Sequence, residues 1–540
     1  MRGRPGHPRG TIAAVTRRGT TVALLVVLFA LSVAIRAPFL GQPLGRDTEA
    51  QTATVARTQT IWYERGALAT RFLPIMTYGS PGDRFICDQA RLVDDDGNWY
   101  YTSYGSLSYV VPYLLVRAVG LAPSVLALQL FNVATHALIC LLLFLTVRLL
   151  RHGDGRRFSD AAAATAVIVY LLAPGPLWLH GNGYMADMFV QVPFALGVYL
   201  AVRLAAGSRS PWIYVLLAVT TYLMTLTEWL GACFGITLVV WSVVGWRRRY
   251  PRPLLAVGPV AVALAIGTIA WHYAQIDGLR TWWDSATATL RYRAGSAGAT
   301  DLTLTSLEAW RLLAKSYVFV WAPQLLLVTV LLCWALATRE RRRAGWSLVR
   351  RPTVAAALLV TALPVALHHV LLWEWTAKHH MAALKLGFLL AVVAALAVDL
   401  LLSPSPESAT GARVTRRRIV IVLVAVAACL SAAQFVVLTV HWGTDDFRLS
   451  GRTIAARTPS DAMAFVRTSE GSGGVPWPQL VYYAHRNIAS YYTPESAVKQ
   501  MELAGVRRGV VFTTDPSGER ILAAQDITLD RPQVSPPTPP

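Results

Sequence analysis

The chain has 540 residues, of which 54% are hydrophobic, and it contains 18 tryptophans. Its mean hydropathy is +0.43. This composition excludes an ordinary soluble domain, because one soluble core cannot bury so much apolar surface. Several apolar runs approach the roughly 20 residues that a helix needs to cross a membrane. We therefore predict an α-helical polytopic membrane protein.

The formal net charge of +20 would suggest nucleic acid in a soluble protein. Here the arginines form short clusters between the apolar runs, as topology signals do, and we expect no nucleic-acid partner. Arg2, Arg4, Arg9, Arg17 and Arg18 precede the first span, at about 20–40, and predict a cytoplasmic N-terminus in a multi-pass protein of the cytoplasmic membrane. That first span has a poor cleavage site, which favours an uncleaved helix.

The later runs continue the same alternation. A long outer loop follows the first span; it opens with a helix near Asp47 and contains a hairpin turn at 94–98. An interfacial helix then precedes a second span at 122–150. Helical hairpins at 160–206 and 353–402, an ambiguous pair at 212–246, and single spans at 254–273, 317–337 and 419–441 bring the prediction to about eleven spans.

The last hundred or so residues have ordinary polarity and predict a separate unit. We expect helices at 460–467 and 495–504 and strands at 480–483 and 510–512, which together suggest a small α/β domain. The predicted organisation is a basic cytoplasmic N-terminus (1–19), a transmembrane domain (20–441) with extracytoplasmic loops 41–106 and 275–315, an extracytoplasmic α/β domain (442–530) and a disordered Pro-rich tail (531–540).

The predicted topology places nine charged or imidazole side chains, which come from different hairpins, on the outer side of the membrane. Charge is costly at this depth unless water, a partner or a substrate needs it. The side chains concerned are Asp47, Glu49, His180, Asp187, Glu228, Glu374, Lys378, His379 and His380. A common site on the outer face is therefore a hypothesis, since topology gives the side and not the distance.

Each of these residues also has a structural interpretation. Asp47 and Asp187 could cap helices, and Glu49 could lie in a first helical turn favoured by the helix dipole. Glu228 could belong to a solvated turn, and the three histidines could be hydrogen-bonded structural groups. Arg46, Arg57 and Lys378 could face lipid headgroups.

Three short motifs resemble those of the GT-C superfamily of integral membrane glycosyltransferases. They are Arg46-Asp47-Thr48-Glu49 with Ala56-Arg57, the run 100–105 before the interfacial helix, and Tyr184-Met185-Ala186-Asp187-Met188. In layout the likeness covers about 20–400, and it is closest to protein O-mannosyltransferases and bacterial aminoarabinose transferases. One departure is that Thr48 separates Asp47 from Glu49, where many relatives have adjacent Asp-Glu.

The resemblance implies transfer of a sugar from a polyprenyl-phosphate donor to an acceptor hydroxyl of a lipid, glycan or protein on the outer face of the membrane. Asp47 would be the favoured base, with Glu49 as the alternative, and direct displacement would invert the anomeric carbon. Arg46, Arg57 or Lys378 would hold the donor phosphate. Asp187, with Glu49, His180 or His379, would orient the acceptor or hold a divalent metal ion; Glu228 and His380 are further candidates for these roles.

Two other classes of protein fit part of the pattern. A transporter or flippase of lipid-linked sugars would line a pathway with the same charges, and it predicts charges within the spans and an inverted repeat. A non-catalytic scaffold that binds cell-wall polymer would tolerate Asp47→Asn. No inverted repeat is visible in the sequence, and we therefore favour the enzyme.

Overall fold

The apolar runs form a bundle of helices in a computed structural model. It describes residues 9–45, 49–86, 92–150, 160–245, 251–296, 302–403, 410–440, 444–469 and 475–529. Arg46 and Asp47, most of the predicted cytoplasmic N-terminal charges and the predicted tail at 531–540 lie outside the described residues or have no described side chain.

The helices up to residue 440 are α1 (Arg9–Arg36), α2 (Glu49–Arg65), α3 (Leu107–Ala118), α4 (Val125–Leu149), α5 (Asp160–Leu171), α6 (Pro174–Leu179), α7 (Ala186–Phe189), α8 (Gln191–Ala205), α9 (Trp212–Thr227), α10 (Leu230–Val244), α11 (Leu254–Arg293), α12 (Leu307–Ala335), α13 (Arg339–Val349), α14 (Pro352–Leu371), α15 (Trp373–Lys378), α16 (His380–Ala383), α17 (Gly387–Leu402) and α18 (Thr410–Val440). A small hairpin of β1 (Leu92–Val93) and β2 (Trp99–Tyr100) confirms the turn predicted at 94–98.

Seven helical stretches of the described chain are long and apolar enough to cross a membrane, which makes this a multi-pass membrane protein. They are Val125–Leu149, Ala186–Ala205, Leu254–Arg293, Leu307–Ala335, Pro352–Leu371, His380–Leu402 and Val414–Thr439. Shorter apolar helices, such as Ala23–Phe39 and Asp160–Leu171, account for the other predicted crossings. The total of eleven and the orientation of the termini stay predictions.

The segment between α5 and α8 is irregular although it is buried. Pro174 opens the short helix α6 at a position where its missing N–H costs nothing. The carbonyls that follow are bound by side chains from other helices: Arg36 Nε donates to Leu177 O at 2.8 Å, and Asn132 Nδ2 donates to Leu179 O at 2.6 Å. Such backbone is tolerated inside a membrane bundle only when protein groups satisfy it.

The second outer loop is more helical than the sequence suggested. A mixed loop was expected from residue 275, but α11 bends at Asp277 and Gly278, where Gly278 has a φ of +81°, and then continues as helix to Arg293. Helix α12 begins at Leu307, ten residues earlier than the span predicted from Tyr317. The bend turns the last part of α11 into a wall of the candidate site.

The C-terminal part contains α19 (Asp446–Arg457), β3 (Ala462–Thr468), α20 (Pro478–Ala484), β4 (Ile488–Ser490), α21 (Pro494–Ala504), β5 (Arg508–Thr514) and β6 (Ile521–Thr528). The sheet order is β4-β3-β5-β6, in which only β5 and β6 are antiparallel. We call this part the C-terminal unit.

Two local predictions in the C-terminal unit are wrong. Residues 460–467 were expected to be helical, yet 462–468 form β3, a parallel strand whose continuous apolar run reflects burial on both faces. Residues 480–483 were expected to be a strand, yet they lie in α20, which Pro478 opens. The helix at 495–504 is confirmed as α21 and ends at Gly505 with a φ of +67°; the strand at 510–512 is confirmed within β5.

The C-terminal unit packs on the first outer loop, and the two share one hydrophobic cluster that includes Val55 and Ile61 of α2 and Phe447 and Leu480 of the unit. Hydrogen bonds fix the contact. Asn487 N donates to Asp83 Oδ1 at 2.8 Å, and burial raises the pKa of Asp83, an effect that the Arg486 guanidinium opposes. The unit and the loop that follows the first predicted span therefore form one packed region.

Candidate active site

Four buried side chains from distant parts of the chain meet inside the bundle. Lys385 Nζ contacts Asp187 Oδ1 and lies 3.7 Å from Glu228 Oε1. His368 Nε2 lies 2.6 Å from the same Glu228 oxygen. All four side chains are fully buried. We call Asp187, Glu228, His368 and Lys385 the buried quartet.

Breaks in helices deliver these groups to one place. Glu228 has an extended backbone conformation and lies between α9 and α10; its Oε2 accepts a hydrogen bond from Leu230 N at 2.8 Å. Asp187 lies in the first turn of α7, and Lys385 lies in the single 3-10 turn (Leu384–Leu386) before α17. His368 comes from the last turn of α14. Ionisable groups at this depth are expensive and usually functional.

One oxygen of this cluster lacks a partner. Asp187 Oδ2 is buried and has no hydrogen bond within the described part of the chain, and the same is true of Arg293 Nη1. Arg293, at the end of α11, is 3% exposed, and its guanidinium lies 4.4 Å from the ring centre of Tyr104 and 4.5 Å from that of Trp375. Asp187 lies within electrostatic range of Arg293. A buried polar atom without a partner can be satisfied by water, an ion or a bound polar group, so these two atoms are candidates for contact with a ligand.

A cavity of about 1280 Å³ lies next to this site; Arg293 lines it and Asp187 does not. Its walls come from the first turns of α2, the end of α11, helix α15 and the C-terminal unit. Arg293 faces the cavity, as does Met185, two residues before Asp187. The lining includes Gln51, Thr54, Tyr101, Thr281, Asp284, Tyr292, Trp375, His379, Thr468 and Trp477. The cavity is large enough for a substrate of several rings, and Arg293 is the arginine among its described lining residues.

Glu49, one of the residues predicted in the first loop, lies beside this site. Glu49, in the first turn of α2, is buried; its Oε2 accepts a hydrogen bond from Gly45 N, and its Oε1 accepts one from Asn182 Nδ2 at 3.2 Å. Arg46 and Asp47 belong to the adjacent segment that the structure does not describe.

Arg57 lies in the contact between the first loop and the C-terminal unit. Its guanidinium is 5.5 Å from the ring centre of Tyr78 and 5.2 Å from that of Trp99. Its Nη2 donates to Met76 O and, at 3.0 Å, to Asn487 Oδ1. These contacts hold the loop to the unit, and Arg57 is not among the cavity-lining residues.

The predicted cations and histidines of α15 and α16 separate into two groups. His379 lines the cavity and stacks on Trp375 at 3.6 Å, and burial lowers its pKa to about 4, so that it is neutral. Lys378 Nζ is 2.5 Å from Glu374 Oε1. His380 turns away: its Nδ1 is 3.0 Å from Ser316 Oγ, and its ring stacks on Phe319.

His180 belongs to the buried segment that precedes Asp187. Its Nδ1 is 3.2 Å from Asn132 Oδ1, its Nε2 is 3.3 Å from the Tyr170 hydroxyl, and its ring stacks on His136 at 4.5 Å. These contacts fix the turn at 180–183. The structure therefore brings Asp187 and Glu228 together and places His180, Lys378 and His380 against other partners.

Sequence reasoning missed Lys385, His368 and Arg293. The sequence did contain a signal that could have identified Lys385 as a candidate site residue. It is one of only four lysines in the chain, and it interrupts an apolar run. Within the described ranges, no three His, Cys, Asp or Glu side chains lie close enough together to hold a metal ion. The divalent metal ion stays a prediction.

No family model matches the sequence, and no curated protein matches it. Solved structures do. The oligosaccharyltransferase AglB from Archaeoglobus fulgidus, in complex with an inhibitory peptide and a dolichol-phosphate, matches 92% of this chain and 70% of its own with a TM-score of 0.57 at 12% identity. ArnT from Cupriavidus metallidurans, bound to undecaprenyl phosphate, matches 92% of this chain and 93% of its own with a TM-score of 0.54 at 13% identity.

This chain shares the fold of these two membrane proteins. The resemblance suggested by the short motifs is thereby confirmed at the level of architecture, and at these identities the likeness concerns the fold alone. A further structure of the Archaeoglobus fulgidus oligosaccharyltransferase contains Zn and sulfate; it matches 91% of this chain and 68% of its own with a TM-score of 0.56 at 14% identity. Fold does not by itself fix the reaction, which has to be argued from the site.

Proposed function

We propose that this protein transfers a sugar from a polyprenyl-phosphate donor to an acceptor hydroxyl on the outer face of the cytoplasmic membrane. The supporting observation is that Arg293 lines a cavity of about 1280 Å³ together with Met185, two residues before Asp187. Arg293 Nη1 and Asp187 Oδ2 are both buried and have no hydrogen bond within the described residues. A carboxylate and a guanidinium match the two ends of the reaction, a hydroxyl that must be oriented and a phosphate that must leave. The GT-C neighbours with dolichol-phosphate and undecaprenyl phosphate support the donor class.

In the proposed reaction the acceptor oxygen attacks the anomeric carbon while the bond between that carbon and the phosphate oxygen breaks. The acceptor proton passes to Asp47, the proposed base, and the configuration inverts. Asp187 accepts a hydrogen bond from the acceptor and orients it. Glu49, which is tied into the backbone of the first loop, supports this segment and is the alternative base.

The leaving group is a polyprenyl phosphate, whose negative charge grows as the bond breaks. Arg293 is the proposed phosphate ligand, because its guanidinium is held in place between two rings. Arg46, next to the proposed base, would add a second cation. Lys378, beside the cavity residue His379, is the weaker candidate because Glu374 already pairs with it. Arg57 takes a supporting role in the contact with the C-terminal unit.

The acceptor is proposed to enter past the C-terminal unit. Thr468, Trp477 and Ser517 of the unit line the cavity together with Thr281 and Asp284 of α11. With the N-terminus in the cytoplasm, as the arginine clusters predict, this wall would lie outside the membrane. A lipid, glycan or protein hydroxyl remains the proposed acceptor class.

A transporter of lipid-linked sugars is the second candidate, and the buried quartet favours it. Its charges lie inside the helical bundle, where pumps and transporters keep their pathway residues. The GT-C fold and the outer cavity favour the enzyme. The two proposals differ in whether the bond to phosphate is broken.

The test is reconstitution of the purified protein in liposomes with a panel of polyprenyl-phosphate sugars and lipid, glycan and peptide acceptors. Release of free polyprenyl phosphate is the expected product, and Asp47→Asn should nearly abolish it without loss of folding. Movement of an intact donor between leaflets, with no release from any donor, would contradict the enzyme and support the transporter.

A further inference from the structure

Lys385 occupies the position between two carboxylates. Its ammonium contacts Asp187 Oδ1 on one side and lies 3.7 Å from Glu228 Oε1 on the other. Its side chain is fully buried. A cation between two carboxylates is the arrangement in which many proteins bind a divalent metal ion. Here the cation is a side chain.

The residues around Asp187 do not fit a divalent metal ion. An ammonium only donates hydrogen bonds, so it cannot be a metal ligand, and its charge opposes a second cation nearby. Glu228 is already engaged through both oxygens, with His368 and Lys385 at one and Leu230 N at the other. No triad of metal-binding side chains exists within the described residues.

We infer that Lys385 is the permanent counter-cation of Asp187 and takes the place that a divalent metal ion would have at this carboxylate. The inference rests on the proposed function for what Asp187 does, whereas the ion pair itself does not depend on it. Lys385 is a positioning residue: it fixes Oδ1 of Asp187 and leaves Oδ2 available to a substrate. Glu228 and His368 in turn hold the ammonium in place.

A buried pair of this kind has a definite energetic signature. Removal of Lys385 leaves the buried Asp187 carboxylate without its cation, which strongly destabilises a protein, whereas removal of Asp187 as well relieves that cost. Glu228 keeps its contact with His368 in either case. The two substitutions are therefore coupled and not additive. A metal-held carboxylate would instead lose stability when the metal is chelated.

The experiment is a double-mutant cycle on the purified full chain, with thermal unfolding in detergent as the readout. Asp187→Asn and Lys385→Met should each lower the unfolding midpoint, and the double variant should recover most of that loss. Lys315→Met, on an exposed lysine, is the matched control and should leave the midpoint unchanged. If Lys385→Met yields no folded protein, the appearance of folded protein in the double variant would support the inference in the same way as a recovered midpoint.

Chelation separates the ammonium from a metal. We expect EDTA to leave the unfolding midpoint of the wild-type protein unchanged, together with any transfer that it catalyses. We expect the double variant to be folded but to lack transfer. Additive effects of the two substitutions would overturn the inference. So would a midpoint that falls in EDTA and returns with Zn²⁺ or Mn²⁺. Failure of every donor in the transfer assay would count against the proposed function only. The unfolding midpoints test the ion pair without any enzymatic activity.

Discussion

Asn182 Nδ2 lies 3.2 Å from Glu49 Oε1, and this hydrogen bond joins the first outer loop to the buried segment that leads into Asp187. Glu49 Oε2 accepts from Gly45 N, and Gly45 O accepts from Gln479 Nε2 of the C-terminal unit. The backbone carbonyl of Asn182 also accepts from Thr52 Oγ1 at 2.9 Å. Three parts of the chain that are remote in sequence are thus connected by consecutive hydrogen bonds beside the candidate site.

Asn182→Leu should impair transfer more than folding. The substitution removes a buried hydrogen bond to a carboxylate, which is worth about 1.5–3 kcal/mol, and allows the first loop to shift against Asp187. We expect kcat/KM to fall by about 10- to 100-fold in the polyprenyl-phosphate release assay. Gln42→Leu is the control, since Gln42 is exposed and bonds only within its own turn. Equal activity of both variants would contradict the role given to this bond.

Gln479→Leu tests whether the C-terminal unit holds the first loop in place. The variant leaves the buried carbonyl of Gly45 without its donor, at a cost of about 1–3 kcal/mol. Tyr483 remains as a second tie, because its hydroxyl accepts from Leu44 N at 2.7 Å and burial raises its pKa to about 12, which keeps it neutral. We expect a lower unfolding midpoint and a higher acceptor KM.

The matched control for Gln479 is Gln525→Leu, which changes the same residue type on the exposed strand β6. A midpoint equally lowered in both variants would show a general effect on the C-terminal unit. A midpoint and KM unchanged in Gln479→Leu would mean that Tyr483 and the shared hydrophobic cluster suffice to hold the loop.

The bundle could be predicted from sequence because hydropathy and arginine clusters are local signals. The swapped elements at 462–468 and 478–484 had no such signal, since a short apolar run fits a buried strand and a buried helix equally well. The bend at Gly278 was missed because the polar residues after it resemble a loop. In the structure they form the helix that carries Arg293.

The candidate site was only half predictable. Asp187 and Glu228 drew attention as charges in outer turns, but the partner that joins them, Lys385, lies 198 residues after Asp187. No local pattern reports a contact at that separation. Lys378 was preferred instead because it stands in a polar turn, where its carboxylate partner is four residues away. The more informative signal was a lysine alone in an apolar run.

Arg293→Ala should weaken the donor interaction. The guanidinium is stacked between Tyr104 and Trp375, and its Nη1 has no hydrogen bond within the described residues. Its loss should therefore remove the proposed charge-assisted contact to phosphate. We expect donor kcat/KM to fall by at least about 10-fold, with little recovery in Arg293→Lys, because lysine lacks the planar fork and the stacking. Kinetics at varied donor concentration provide the measurement.

Arg291→Ala supplies the comparison for Arg293. Arg291 lies two residues earlier in the same helix end, carries the same charge and is exposed. Its removal should change donor kinetics only slightly and in a salt-dependent manner, as expected for a screened surface charge. If Arg291→Ala lowered kcat/KM as much as Arg293→Ala, the effect would belong to the general charge of this face and not to the stacked guanidinium.

Gly387→Ala should disturb the buried quartet through packing. A Cβ at Gly387 would lie 2.5 Å from the Trp321 ring and 2.6 Å from the Tyr170 ring, and both rings are fully buried. Overpacking of this kind costs about 1–3 kcal/mol, and the strain falls two residues from Lys385. We expect a lower unfolding midpoint together with reduced transfer.

Gly267→Ala is the control because a Cβ there meets nothing within 4 Å, and alanine is the better helix former. Both changes add one methyl group to an apolar helix. A midpoint lowered only in Gly387→Ala would locate the effect in the packing that supports Lys385. Equal midpoints in the two variants would show that the rings yield without moving the ammonium.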